Sequence, residues 1–397
     1  MSDQELNRLM PELRFPEFRT SPFWNWLKGD DLFDQIANRS HNSDLPILAI
    51  TQEYGAIPRE LIDYHVSVTE KSVESYKVVE VGDFIISLRS FQGGIEFSKY
   101  KGLCSPAYVI LRKKSSAAVN DFFKHYFKTA QFIKELNKNL EGLRDGKMIS
   151  YKQFSELSLP KPSPAEQQKI AACFSSLDEL IAAEVQKMEA LKVHKKGLMR
   201  ALFPVEGKTV PRVRFEGFAG EWEERTLAQV CNLKAGKFVS ASEIMEEQTA
   251  NSFPCYGGNG LRGFTRSYNH SGTYSLIGRQ GALCGNVTFA TGNFHATEHA
   301  VVVYPYDNID TNWLYFVLVH LNLNQYATGQ AQPGLSVDSL NQVELFVPPN
   351  KVEQQKIAAS LSSLDETIAM QTQTIESLKL YKKGLMQSLF PETNSEK

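Results

Sequence analysis

No two of the five cysteines (Cys104, Cys173, Cys231, Cys255, Cys284) stand close enough to form a C-x-x-C pair. That excludes a disulfide frame and a zinc ribbon, and leaves buried or free thiols suited to a reducing compartment. The eight histidines show no metal-ligand spacing either. Long apolar runs are missing: the strongest, WLYFVLVHL from Trp313, is far too short to span a bilayer. The first residues, MSDQELNRLM, are polar and acidic and do not read as a signal peptide. The expectation is a soluble, cytoplasmic protein that meets no membrane. The formal net charge of −2 shows no global basicity, so any case for nucleic acid rests on local charge.

Catalytic signatures are equally scarce. GNGLRG, from Gly258 to Gly263, fits G-x-G-x-x-G, but no helical pattern follows it, so a strand–turn–strand is expected in place of a dinucleotide site. GKT at Gly207 lacks the leading glycine of a phosphate-binding loop. VPP at Val347 is followed by Asn350, and so lacks the Asn/Asp-Pro-Pro-aromatic pattern of amino-methyltransferases. There is no G-x-S-x-G and no carboxylate cluster that suggests a nuclease.

What the chain does have is a repeat. Glu166–Pro204 and Glu353–Pro391 match at 26 of 39 positions without a gap, 187 residues apart. A second echo precedes each half: PELRF at Pro11 and PRVRF at Pro211, offset by 200. The order is module, copied segment, module, copied segment. With 397 residues and 42% hydrophobic content, two to four domains with real cores are expected. The map is a first module over 1–162, a copied segment over 163–204, a second module over 205–349, a second copied segment over 350–391 and a tail over 392–397. A shared scaffold that holds two different readers would leave this trace.

Each copied segment reads as a long helix. Ser163, Pro164 and Glu166 form a capping-box start, Asn350 and Glu353 repeat it, and Pro204 and Pro391 end the helices. Apolar residues then alternate by steps of four and three: Ile170, Phe174, Leu177, Ile181, Met188, Leu191, Leu198, Leu202. The second copy gives Ile357, Leu361, Leu364, Ile368, Ile375, Leu378, Leu385, Leu389. Such a narrow seam predicts a two-helix coiled coil. At ~1.5 Å per residue each helix would be roughly 58 Å long. Similar units pack best about a two-fold axis, so the helices are expected head to tail, with pseudo-two-fold-related modules at opposite ends. Polar residues interrupt both seams at matching places, Glu184 with Gln371 and Lys195 with Lys382. Either they rim a partner-facing surface, or they fix register and antiparallel orientation.

The modules read as α+β domains with curved sheets. VVEVGDFIISLRS and PAYVILRKK are expected strands around a QGG turn; GTYSLIGRQG and EHAVVVYP repeat the plan, aligning Gly82 with Gly272 and Arg89 with Arg279. Helices follow at DFFKHYFKTAQFIKEL and NWLYFVLVHLNLNQY. From Gly82 to Lys114 the local balance is +4, and from Asn251 to Val302 it is +2. The same stretches hold Gln92, Ser105, Tyr108, Tyr268, Asn269, Gln280, Asn286, His295 and His299, types able to contact base edges or phosphates. Any one of them alone is an ordinary surface residue; the argument is their co-location in both modules.

Taken together, the paired EQQKIAA…SSLDE segments, each closed by KKGLM and LFP, with YGGNGLRGF at Tyr256 and TGQAQPGLS at Thr328, resemble the specificity subunits of type I restriction–modification systems. The resemblance covers almost the whole chain; the first module departs from it with EGLRDGKMIS at Glu141. It implies a subunit without its own active site. Two target-recognition domains would each read half of an asymmetric, bipartite site on double-stranded DNA. The helix pair would space them and dock two methyltransferase subunits. Restriction–translocase subunits would complete the complex, and S-adenosylmethionine, ATP and Mg would be used by those partners, with no cofactor or metal on this chain. On that reading, phosphate contacts are expected from Lys99, Lys101, Arg262 and Arg266, base reading from Arg89 and Arg279, and further DNA contacts from Arg144, Lys147, Gln330 and Gln332. Modules about one helical turn apart (~34 Å) would face the same side of the duplex. The competing readings are a single-chain nuclease or methyltransferase, for which the repeat leaves no room, and a coiled-coil scaffold that never touches DNA, which leaves the basic loops unexplained.

Overall fold

The computed structural model describes residues 10–42, 44–62, 73–138, 149–205, 207–281, 283–329 and 333–391. The chain is α+β and forms two compact units: Met1–Glu184 with Thr374–Lys397, and Val185–Gln373. The copied segments are helices of 39 residues, Pro164–Leu202 and Lys351–Leu389. They end two residues before Pro204 and Pro391.

Each unit takes half of each long helix. In the first unit, Ile170, Phe174 and Leu177 from the start of one helix share a core with Leu385, Leu389 and Phe390 from the end of the other. In the second unit, Leu198 and Leu202 share a core with Ile357 and Leu361. Both pairings are antiparallel, as two-fold packing of similar units predicts. The remaining seam positions follow suit: Ile375 is buried, while Ile181, Met188, Leu191, Leu364, Ile368 and Leu378 are half-buried.

The interrupting lysines have a defined task. Lys195 pairs with Asp365 of the other helix, and Lys382 pairs with Asp178. Of the two readings of these positions, the geometry of the lysines favours register and orientation. Exposed pairs of this kind contribute only ~0.2–1 kcal/mol each. The apolar seam therefore supplies the stability, and the pairs select one alignment over its neighbours.

The capping-box reading is half right. The Ser163 hydroxyl does accept the Glu166 N–H (3.3 Å), and Asn350 Oδ1 accepts the Val352 N–H (2.9 Å). The glutamates, however, do not turn back to their caps. Glu166 forms a buried, bidentate pair with Arg14 (2.6 and 2.7 Å), and Glu353 forms a bidentate, partly buried pair with Arg214 (2.7 and 2.8 Å). A guanidinium fork offers two charge-assisted bonds where the cap offers one. This explains the second echo: PELRF and PRVRF carry the arginines that clamp the helix starts. The next residue is duplicated in function too. Gln167 accepts the Val119 N–H and donates to the Ala117 and Pro162 carbonyls. Gln354 accepts the Asp310 N–H and donates to the Asn308 and Pro348 carbonyls. Each glutamine thus ties the long helix to the chain entering the module's own helix.

Within the modules a common plan carries different elaborations. Asn25–Lys28 pairs with Ser158–Lys161, and Glu223–Thr226 pairs with Glu344–Val347, closing each module next to its long helix. In the first module Phe33–Ile36, Val109–Lys113, Phe84–Ile86 and Glu96–Phe97 form a four-stranded sheet in that spatial order. Two small ladders accompany it, Leu48–Thr51 with Gly55–Pro58 and Lys77–Val79 with Gly102–Cys104. In the second, Cys231–Ala235, Ala300–Pro305, His270–Gly278, Val287–Ala296, Phe253–Gly257 and Gly260–Thr265 form one six-stranded sheet. The expected VVEVGDFIISLRS strand is two strands, broken at the Asp83 turn, and the QGG turn is a short helix, Ser90–Gly93. The helix expected from Asp121 is also two, Asn120–Tyr126 and Ala130–Lys138, because Thr129 Oγ1 accepts the Phe132 N–H and starts a new helix. The helix expected from Asn312 runs Thr311–His320 and stops where Asn322 adopts φ 47°. GNGLRG is a strand–turn–strand, as its neighbours predict.

Candidate nucleic-acid interface

In the second unit the chain brings several of the expected residues to one end of the six-stranded sheet. The Arg279 N–H donates to the His299 carbonyl (3.0 Å), and the Arg279 carbonyl accepts the Leu335 N–H (2.9 Å). Gln280 bridges Gly334, and the Gly281 N–H donates to the Pro333 carbonyl (3.0 Å). The Gly258 turn lies against the same place: a Cβ on Gly278 would sit 1.8 Å from the Gly258 carbonyl. That is why glycine is needed here. Arg262 passes beside Gly257 on the same hairpin, where a side chain would meet its Cδ at 3.6 Å. Arg262, Arg279, Gln280 and His299 are therefore gathered around one turn, and Gln280 and Arg262 are exposed. Arg266 lies past the opposite end of that hairpin, near Phe253 and Tyr268. None of the three arginines meets a carboxylate within ion-pair distance among the described residues; His299 is the one engaged, by Glu298 at 3.1 Å.

The first unit is arranged differently. Arg89 and Tyr108 line an open cleft of about 940 Å³ together with Gln52 and Tyr54 from the Leu48–Pro58 hairpin. Gln92 is exposed on the short helix that Arg89 starts. Lys99 and Lys101 lie at the other end of the Phe84–Ile86 strand, since Phe84 pairs with Phe97. The basic balance counted along the chain also shrinks in space. Lys101 pairs with Glu80, Arg112 is bidentate to Asp83, and Lys114 approaches Asp34 at 3.3 Å. Glu80 and Asp34 lie outside the counted segment, which is why linear counting missed them. Ser105 uses its hydroxyl locally, accepting the Ala107 N–H.

Other candidates are bonded into the fold. Asn269 clamps Ala296 through both its amide atoms (2.8 Å each), and His295 is buried with Nε2 against the Lys237 carbonyl. Asn286 and Tyr268 are exposed. Arg144, Lys147, Gln330 and Gln332 lie outside the described residues, as does the tail over 392–397. The hairpin with Gln52 and Tyr54 was missed by sequence reading; LAITQEYGAIP does carry the strand–turn–strand signal, in the four residues either side of Gln52–Tyr54. Cys104 and Cys231 are buried, which pushes each thiol up to about 12, so neither is a poised nucleophile. Among the described residues no cluster of His, Cys, Asp or Glu could hold a metal ion, and no helix is long and apolar enough to cross a membrane.

The chain is similar to several known proteins. A family model described as the type I restriction modification DNA specificity domain matches twice, over residues 27–193 and 219–380. The chain is 32% identical over 305 residues to the type I restriction enzyme EcoprrI specificity subunit of Escherichia coli, covering 74% of each. It is 22% identical over 357 residues to the MjaVIII specificity subunit of Methanocaldococcus jannaschii, covering 82% of this chain and 81% of that one. Among solved structures, the type I S subunit from M. genitalium superposes with a TM-score of 0.61 at 19% identity, over 97% of this chain and all of that one.

Proposed function

We infer the role of this chain from its family: it belongs to the type I restriction–modification DNA specificity family. It is a specificity subunit, which serves DNA recognition and not catalysis. We propose that each unit reads one half of a bipartite, asymmetric duplex site. In the second unit Arg279, with Gln280 beside it, reads base edges, while Arg262 and Arg266 contact phosphate. In the first, Arg89 reads bases from its cleft, and Lys99 and Lys101 contact phosphate. The paired long helices set the gap between half-sites and dock two methyltransferase subunits; restriction–translocase subunits complete the assembly in the cytoplasm. The partners bring S-adenosylmethionine, ATP and Mg. The flipped adenine is handled by the methyltransferase, so this chain has only to bring it within reach.

The observation that carries this reading is a copied frame, clamped by the same bidentate arginine–glutamate contact twice, around two modules that both match the DNA specificity domain. The test is Arg279→Ala in the assembled methyltransferase complex. The duplex is the site found by mapping methylated adenines in a host carrying the genes. A bidentate base contact supplies ~1–3 kcal/mol of discrimination, so affinity for this duplex should fall roughly 10- to 100-fold while a scrambled duplex binds as before. Equal losses on both duplexes would make Arg279 a phosphate or structural contact. Arg266→Ala should weaken both alike and lower the salt slope by about one.

A further inference from the structure

Phe238 is the most exposed of the large hydrophobic side chains described, at 75%. Its backbone is not free to hide it. The Gly236 N–H donates to the Ala300 carbonyl and the Lys237 N–H to the Ala296 carbonyl, both at 2.9 Å. The Lys237 carbonyl accepts from His295 Nε2 at 3.2 Å. A Cβ at Gly236 would lie 2.1 Å from the Ala296 carbonyl, so the chain passes there in contact. On the other side Val239 is buried at 6%. Between these held neighbours the Phe238 side chain stands in solvent. An aromatic ring held in water forgoes the free energy that burial would give.

The place is informative. Ala300 holds Gly236, and its neighbour His299 holds Arg279. Gly236, two residues before Phe238, is therefore bonded to the segment that also holds Arg279, and exposed Lys237 lies between Gly236 and Phe238 in the chain. A fixed apolar ring next to an exposed lysine, on a segment bonded to the one that holds Arg279, suits a nucleic-acid surface, since a phosphate satisfies the cation while the ring meets the π-face of a base. DNA-binding proteins use such rings as wedges between base pairs. We propose that Phe238 inserts at a base step of the half-site bound by the second unit, unstacking it and holding the duplex in register under Arg279. The inference rests on the DNA-reading role above and assigns to it a residue outside the arginine cluster. At the 198-residue offset that aligns Trp24 with Trp222, the first unit has Ser40 in place of Phe238, so the wedge acts on one half-site only.

The experiment uses the assembled methyltransferase complex and the host-mapped duplex, with 2-aminopurine placed at successive positions, beside a scrambled duplex. The wild-type complex should raise fluorescence at the target adenines and at one further step in the second half-site. Phe238→Ala should lose the signal at that step alone, keep it at the target adenines, and bind the specific duplex about tenfold more weakly with the scrambled duplex unchanged. Phe238→Trp should restore both. Wild-type affinity and fluorescence in Phe238→Ala would overturn the proposal. So would a Phe238→Ala chain that folds, by an unchanged Tm, yet no longer assembles with the methyltransferase, because the ring would then be a protein contact. A wild-type complex that fails to distinguish the two duplexes would instead sink the DNA-reading role itself, and the wedge with it.

Discussion

The two units share a frame and differ in what the frame holds. Arg14–Glu166 and Arg214–Glu353, Gln167 and Gln354, and Lys382–Asp178 and Lys195–Asp365 are the same contacts made twice. The sheets are not: four strands plus two small ladders in one, a single six-stranded sheet in the other. Buried polar contacts explain the contrast. A carboxylate that has lost water must keep its guanidinium, and a buried amide must keep its backbone partners. Loop and strand-end residues carry no such obligation, so the modules were free to diverge around a fixed mount.

Breaking the mount should give the largest effects and also separate the two halves. Removing one partner of a buried ion pair costs roughly 3–5 kcal/mol. Arg14→Ala should destabilise the first unit by that order in chemical denaturation. Arg214→Ala should cost the second unit less, because the Arg214 side chain is 17% exposed against 7% for Arg14. Equal costs would mean that the difference in burial is immaterial.

A second difference concerns pH. Six residues after each glutamine-latched position stands a ring facing the helix pair: His125 in the first unit, Phe316 in the second. Burial pushes the pKa of His125 down to about 3, and Lys124 and Lys382 add to the shift. The unfolded histidine titrates near 6.5. As pH falls through that value, the unfolded chain takes the proton and the folded one refuses it, so the stability tied to neutral His125 is lost progressively from about pH 6.5 downward. Thermal melts of His125→Phe should match wild type at pH 8 and exceed it at pH 5. Identical pH profiles would remove His125 from the account.

The smallest effect expected is at the cross-helix lysines. Lys195 also lies 5.2 Å from the Phe316 ring centroid, and its ion pair is partly exposed. A double-mutant cycle with Lys195→Ala and Asp365→Ala should give a coupling of ~0.2–1 kcal/mol. A value near zero would return these lysines to a partner-facing role.

Much of this frame was legible in the sequence, because a heptad seam and a copied helix are periodic signals read over 39 residues. Ile170, Phe174, Leu361 and Leu389 are buried as their spacing demands. The roles of Glu166 and Glu353 were not legible. A glutamate three residues after a serine or asparagine looks like a cap, and its arginine partner lies about 150 residues away. The site was legible in part. Arg279, Gln280 and His299 do come together, because short strands force neighbouring turns to one sheet end. Lys99 and Arg89 do not, since ten residues that reverse direction in a hairpin carry them to opposite ends of one strand. Charge counted along the chain failed in the first module for a related reason: the neutralising Glu80 and Asp34 arrive from other segments.

The central claim is that one duplicated mount presents two independent readers. It is tested most directly by replacing residues 205–349 with the corresponding module of a relative that has a different target, keeping both long helices, and mapping methylated adenines in a host that carries the chimaera with its partners. One half of the recognised site should change to the donor's, with the other half and the gap between them unchanged. A site altered in both halves, or in neither, would contradict it.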